Sequence, residues 1–163
     1  VKTLTVETDN PGSYDGAYVY LMDPELTRAE ASASSGIAKL SEQVLVDGIG
    51  ETYIAGLFRD SYGELHDGCL KLAAGDGAKV TYNVGGAYTT LSGSIAAGDK
   101  TSYEGGIAVK IYGDGNQLYE ISDFGKMTGT QSFAVDITGC QVVAIEVSGD
   151  YDSCVYVTDD QLK

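Results

Sequence analysis

Alternation dominates the hydrophobic pattern of this chain. In KTLTVET (2–8), Leu4 and Val6 share one face and polar residues take the other, the period of two that marks a half-buried strand. The pattern recurs in AYVYLMD (17–23), GCLKLAA (68–74), AKVTYNV (78–84) and YTTLSGSIAA (88–97). It continues in GIAVKIYG (106–113), QLYEISD (117–123), QSFAVDITG (131–139), CQVVAIEVSG (140–149) and CVYVTDD (154–160). Turn residues such as Asn-Pro-Gly-Ser, Gly-Asp-Gly and Gly-Gly separate these runs. Short period-2 runs at this spacing predict an all-β sandwich or barrel. One stretch departs from the pattern: PELTRAEASASSGIAKLSEQ (24–43), rich in Ala, Ser and Glu, reads as a long loop with one helical turn. Nothing along the chain reads as a repeat or linker, so residues 1–163 are expected to form a single domain.

Two hairpins can be read in more detail. Around GDGNQ (113–117), a three-residue loop Asp114-Gly115-Asn116 sets Val109 against Ile121, Lys110 against Glu120 and Ile111 against Tyr119. Apolar pairs then share one face and opposite charges the other, as cross-strand energetics favour. In that reading Asn116 takes the left-handed conformation, and Asp114 is a turn residue rather than a ligand. A second hairpin around residues 149–152 would place Cys154 opposite about Val147, which predicts no 140–154 disulfide.

Charge narrows the set of partners. The net charge is −14, a field that repels phosphate backbones and anionic lipid, so neither nucleic acid nor membrane is expected as a partner. No apolar run approaches the roughly 20 residues that span a bilayer. The chain begins at Val1 with no signal-peptide pattern, and reads as an excised or processed module of a larger multidomain protein. Cys69, Cys140 and Cys154 make no CxxC pair; they allow one disulfide with one free thiol, or three buried thiols.

Catalytic patterns are absent: there is no GxSxG, P-loop or HExxH, and His66 is the only histidine. No acidic pair stands out for glycoside hydrolysis, so no catalytic residues are assigned. The acidic turns TDNPGSYDG (8–16), GDG (75–77 and 113–115), SGDYDS (148–153) and TDD (158–160) offer the hard oxygens that suit calcium. The same residue types are also what turns require. Of the 12 tyrosines, Tyr18, Tyr82, Tyr112, Tyr119 and Tyr156 fall in predicted strands, while Tyr14, Tyr53, Tyr62 and Tyr103 fall in predicted loops, where a ring can stack on a sugar. The most concentrated polar chemistry is FRDSYGELHDG (58–68). Arg59, Asp60, Tyr62, Glu64 and His66 there combine charged donors and acceptors with an aromatic face, a set suited to a polyhydroxylated ligand.

The later half of the chain also resembles a known family. VTYNVGGAY (80–88), TLSGSI (90–95), the turn DGNQLY (114–119), VDITG (135–139), VVAIEV (142–147) and CVYVTDDQL (154–162) are similar in order and spacing to carbohydrate-binding module family 51. The resemblance covers residues 58–163. It implies a jelly-roll β-sandwich like the galactose-binding domains, carried by secreted or cell-surface bacterial proteins, with a carbohydrate ligand and, in some members, a structural calcium ion. Two family features are missing: the Asp-Trp step near the C-terminus, replaced by VYVTDDQL, and a Gly-His-Ala segment, replaced by GCLKLAAG. The resulting expectation is a non-catalytic extracellular carbohydrate-binding module acting through a weak site and avidity; the rival is a structural or protein-interaction module of a bacterial surface protein.

Overall fold

The computed structural model describes residues 37–49, 51–75, 77–98, 101, 105–149 and 153–163, which lie within one compact unit, Ala33–Lys163. The predicted strands at 2–8 and 17–23 fall outside the described residues, as do Tyr14, Tyr18 and Tyr103. The described end of the 24–43 segment holds one 3-10 turn, Leu40–Glu42, whose Leu40 is buried.

Ten strands follow in chain order: β1 (Val44–Ile49), β2 (Glu51–Arg59), β3 (Leu65–Ala73), β4 (Ala78–Asn83), β5 (Thr90–Ala97), β6 (Ile107–Gly113), β7 (Asn116–Phe124), β8 (Gln131–Asp136), β9 (Val142–Ser148) and β10 (Cys154–Leu162). They build two five-stranded antiparallel sheets, β1-β4-β9-β6-β7 and β2-β3-β10-β5-β8. Consecutive strands stay in one sheet only at β2–β3 and β6–β7; elsewhere the chain crosses to the opposite layer. This is the expected jelly-roll β-sandwich.

Alternation decides what the sheets bury. Val80, Tyr82, Val109, Ile111, Val143, Ile145 and Val147 point inward from one sheet. Leu70, Leu72, Leu91, Ile95, Val155 and Val157 meet them from the other. Each such side chain contributes about 1.5–3 kcal/mol on burial, and truncating one to Ala costs about 2–5 kcal/mol because the packed layers close poorly over a void.

The β6–β7 hairpin has the predicted strand register but a different turn. Val109 faces Ile121, Lys110 faces Glu120 and Ile111 faces Tyr119, yet Gly113 pairs with Asn116 across a two-residue turn. Asp114 (φ 47°) and Gly115 (φ 82°) take the positive φ values, and Asn116 does not, as a type I′ turn requires. A register shift between Ile111 and Tyr112, opposite Leu118, restores the apolar pairing that a regular two-residue turn would have lost.

The expected pairing of β9 with β10 does not occur. β9 and β10 belong to different sheets, so Cys154 faces Ala73 on β3 and not Val147. The expected register of Cys154 against Val147 is therefore wrong, while the expected absence of a 140–154 disulfide agrees with three free thiols. Two strands were not predicted at all, β1 and β2, and Tyr53 lies in β2 rather than in a loop. TDD (158–160) is likewise not a turn but part of β10, where a bulge between Thr158 and Gln161 gives Asp159 a φ of 53°.

Candidate functional site

The β2–β3 hairpin carries all five residues singled out in the sequence. Arg59 ends β2, His66 lies in β3 opposite Phe58, and Asp60, Tyr62 and Glu64 form the turn between them. Asp60 organises it. Its Oδ1 accepts from the backbone N–H groups of Tyr62 (2.8 Å) and Glu64 (2.9 Å), and its Oδ2 accepts from the Thr130 hydroxyl (3.0 Å). Oδ2 also lies 3.2 Å from Nε2 of His66. An Asp accepting from backbone N–H groups two and four residues on is the turn chemistry its short side chain favours. Gly63, at φ 82°, takes the left-handed position that the turn needs.

Burial separates the five. The Asp60 side chain is 1% exposed and His66 is buried, while Arg59 and Glu64 are exposed and Tyr62 is 54% exposed. Burial pushes the Asp60 carboxyl up, but the hydrogen bonds from His66, Glu64, Thr130 and Tyr62 outweigh it and hold Asp60 below the usual Asp value. His66 sits between two carboxylates, with Nδ1 3.6 Å from Oδ2 of Asp159 on the β10 bulge. The positive φ of Asp159 is what a β-branched or bulky residue would not tolerate.

The exposed residues are held in place as well. The Tyr62 hydroxyl donates to the Met127 carbonyl (2.7 Å), Ser61 Oγ to the Lys126 carbonyl (3.4 Å), and Arg59 Nη1 to the Gly63 carbonyl (2.6 Å). The turn is thus tied to the 125–130 loop between β7 and β8. Thr130, Met127 and Asp159 were missed by sequence reasoning. Asp159 lay in a recognised acidic run, but nothing local pairs Thr130 or Met127 with a turn 65 or more residues earlier.

The arrangement offers ligand chemistry more than reaction chemistry. Asp60, Glu64 and His66 bring ligand atoms within 4.8 Å of one another, close enough to surround an ion. The donor set is one imidazole, one exposed carboxylate and one carboxylate already accepting from protein donors, a poor match to the six to eight oxygens calcium takes. Cys69, the most buried thiol, is pushed up to about 12 by burial, with Cys154 adding to the rise and Lys71 opposing it. It is inert as a nucleophile.

The two packed antiparallel sheets define a β-sandwich. The profile of the NPCBM/NEW2 domain family matches residues 68–158, more than half of the chain. The protein belongs to that family. Among solved structures it is similar to a CBM51 module from Clostridium perfringens GH95 in complex with methyl-galactose (16% identity, 78% of this chain and 100% of that one, TM-score 0.65). It is also similar to the tandem CBM51 modules of a family 98 glycoside hydrolase from Streptococcus pneumoniae (13% identity, 85% and 52% covered, TM-score 0.65). A third likeness is to the CBM51-2 and INT domains of Clostridium perfringens ZmpB with GlcNAc (13% identity, 78% and 32% covered, TM-score 0.63). The chain spans about half of the second structure and a third of the third. At these identities the likenesses establish the fold. Among the curated proteins none matches the sequence.

Proposed function

We propose that this protein is a non-catalytic carbohydrate-binding module whose glycan site is the β2–β3 turn. Arg59, Tyr62 and Glu64 contact the sugar, and Asp60 and His66 hold them in position. The observation that carries the reading is the Asp60 carboxylate, whose backbone hydrogen bonds immobilise the turn before any ligand arrives. A half-exposed tyrosine ring anchored through its hydroxyl is then presented at little entropic cost. Family membership and the methyl-galactose and GlcNAc complexes of the similar modules support a hexose-containing ligand.

The ion implied by the family resemblance has no part in this turn, because the donor set suits calcium poorly. Residues 1–163 act as one module of a larger extracellular bacterial protein. Similar modules occupy only part of longer chains, and a weak single site gains useful strength through such linkage.

The protein-interaction reading has one specific support. Leu57 and Leu65 are 73% and 55% exposed, and cross-strand pairing sets them beside Asp67 and Arg59 on the outer face of β2–β3. A glycan array separates the two. Binding to a defined glycan that falls about tenfold in Tyr62→Ala and is unchanged by EDTA is the expected result. An array without a single ligand would favour the interaction module.

A further inference from the structure

The outer face of the sheet β1-β4-β9-β6-β7, away from the β2–β3 turn's own sheet, has a depression of about 410 Å³. Its shape follows from register. Ala144 on β9 lies between Thr81 on β4 and Tyr112 on β6. The methyl group of Ala144 is too short to fill the row, so Ala144 and Val142 form a floor between the Thr81 hydroxyl and the Tyr112 ring. One end is closed by Lys79 and Glu146, 3.8 Å apart, with the Lys79 Nζ over the Tyr112 ring at 5.6 Å from its centroid. The other end is the Asp114–Gly115 turn. The Asp114 carboxylate is occupied by the backbone N–H groups of Gln141 and Val142 and contributes a wall only.

We propose that this depression is a second saccharide-binding surface, suited to one or two neutral hexose units. A half-buried aromatic wall above a small apolar floor accepts the C–H face of a sugar ring, while an ammonium, a carboxylate and a hydroxyl at its margins match vicinal hydroxyls. The volume is within the range of small-molecule sites. Charge selects neutral over acidic sugars: along the row Lys79, Glu146, Lys110 and Glu120 the charges cancel, and the chain's net −14 repels anions. The Lys79–Glu146 and Lys110–Glu120 pairs are long, at 3.8 and 3.9 Å, and partly exposed. Such pairs hold little fold energy and can turn toward a ligand. The choice of a saccharide rests on the carbohydrate reading above; the existence and shape of the surface do not.

The test is amide NMR of the 15N-labelled chain titrated with lactose, cellobiose, maltose and mannobiose to about 20 mM, a range that detects millimolar sites. One of them is expected to shift the amides of Thr81, Tyr112, Ala144 and Glu146 along one saturating curve. Tyr112→Ala should weaken that curve about tenfold. Ala144→Leu, which fills the depression without removing a polar group, should abolish it. Tyr62→Ala should leave it within about twofold, as a distant independent site does. A response at residues 60–66 alone overturns this proposal and leaves the turn reading standing; a response at the sheet face alone does the reverse. No shift at the sheet face with any of the four sugars, or a shift that survives Ala144→Leu, also overturns it. So do shifts of these amides that track protein concentration without sugar, which would assign the face to self-association.

Discussion

Asp114 and Val142 bind each other twice. The Asp114 N–H donates to the Val142 carbonyl at 3.0 Å, and the Val142 N–H donates to Asp114 Oδ1 at 2.9 Å. The same carboxylate accepts from the Gln141 N–H at 2.9 and 3.1 Å. The side chain at the first position of the β6–β7 turn therefore also fixes the entry into β9.

Asp114→Asn should be mild, since Asn keeps an amide oxygen and favours the same positive φ; a loss within about 1 kcal/mol is expected. Asp114→Ala leaves two backbone N–H groups without their acceptor and should cost about 2 kcal/mol. Urea unfolding of both variants measures the difference. Equal losses would mean that the carboxylate's contacts carry no weight. Sugar binding should change by no more than about 0.5 kcal/mol in Asp114→Asn.

Asp60 predicts a dependence on acid. Its folded value is held below the ordinary Asp value, so its contribution is complete above the unfolded value near 3.9 and is lost as pH falls through the folded one. Asp60→Asn should be destabilising at pH 7 by about 1–3 kcal/mol, because a neutral amide serves its donors less well. The gap between the two proteins should narrow below about pH 4. Melting curves from pH 3 to 7 test this, and a constant gap would refute it.

Asp160 has the opposite sign. Burial raises its carboxyl above the usual value, against the hydrogen bond it accepts from the Leu40 N–H. Its favourable share of stability is therefore present below the unfolded value and is lost as pH rises through the folded one. Asp160→Asn keeps an acceptor for Leu40 and removes the buried charge. Its melting temperature at pH 7 should equal or exceed that of the parent, and the advantage should vanish near pH 4. A clear loss at pH 7 would show that the charge itself is needed.

Thiol chemistry should divide the cysteines. Cys69 and Cys154 are buried and Cys140 is half-buried. Burial raises the Cys140 thiol, and Asp114 and Asp136 push it in the same direction, so it should react slowly. A disulfide-exchange reagent at pH 8 should label Cys140 alone in the folded protein and all three in denaturant. Fast labelling of Cys69 would contradict its position in the sheet.

What the sequence determined by itself was the set of regular strands. From residue 68 onward, every segment with clean alternation is a strand, because one buried face imposes a period of two. The pairing of Lys110 with Glu120 was legible for the same reason, since it follows from complementary neighbours within one hairpin. The cluster at residues 59–66 was visible as a concentration of polar chemistry.

Tertiary structure decided the rest. β1 and β2 were hidden because bulges between Leu45 and Asp47 and between Ile54 and Leu57 break their alternation. Only the assembled sandwich places β9 and β10 in opposite layers, since adjacency in sequence does not dictate pairing when the chain crosses between sheets. Burial divided the five polar residues into two that hold the turn, Asp60 and His66, and three that reach solvent. That division depends on Thr130, from the β7–β8 loop, and Asp159, from the β10 bulge, which lie 70 and 93 residues after their partners Asp60 and His66. The depression beside Tyr112 likewise exists only because register sets one small residue, Ala144, between Thr81 and Tyr112 on three separate strands. Local pattern fixes which residues face inward, but which of them meet is a property of long-range register, and both the tied turn and the depression are made of those meetings.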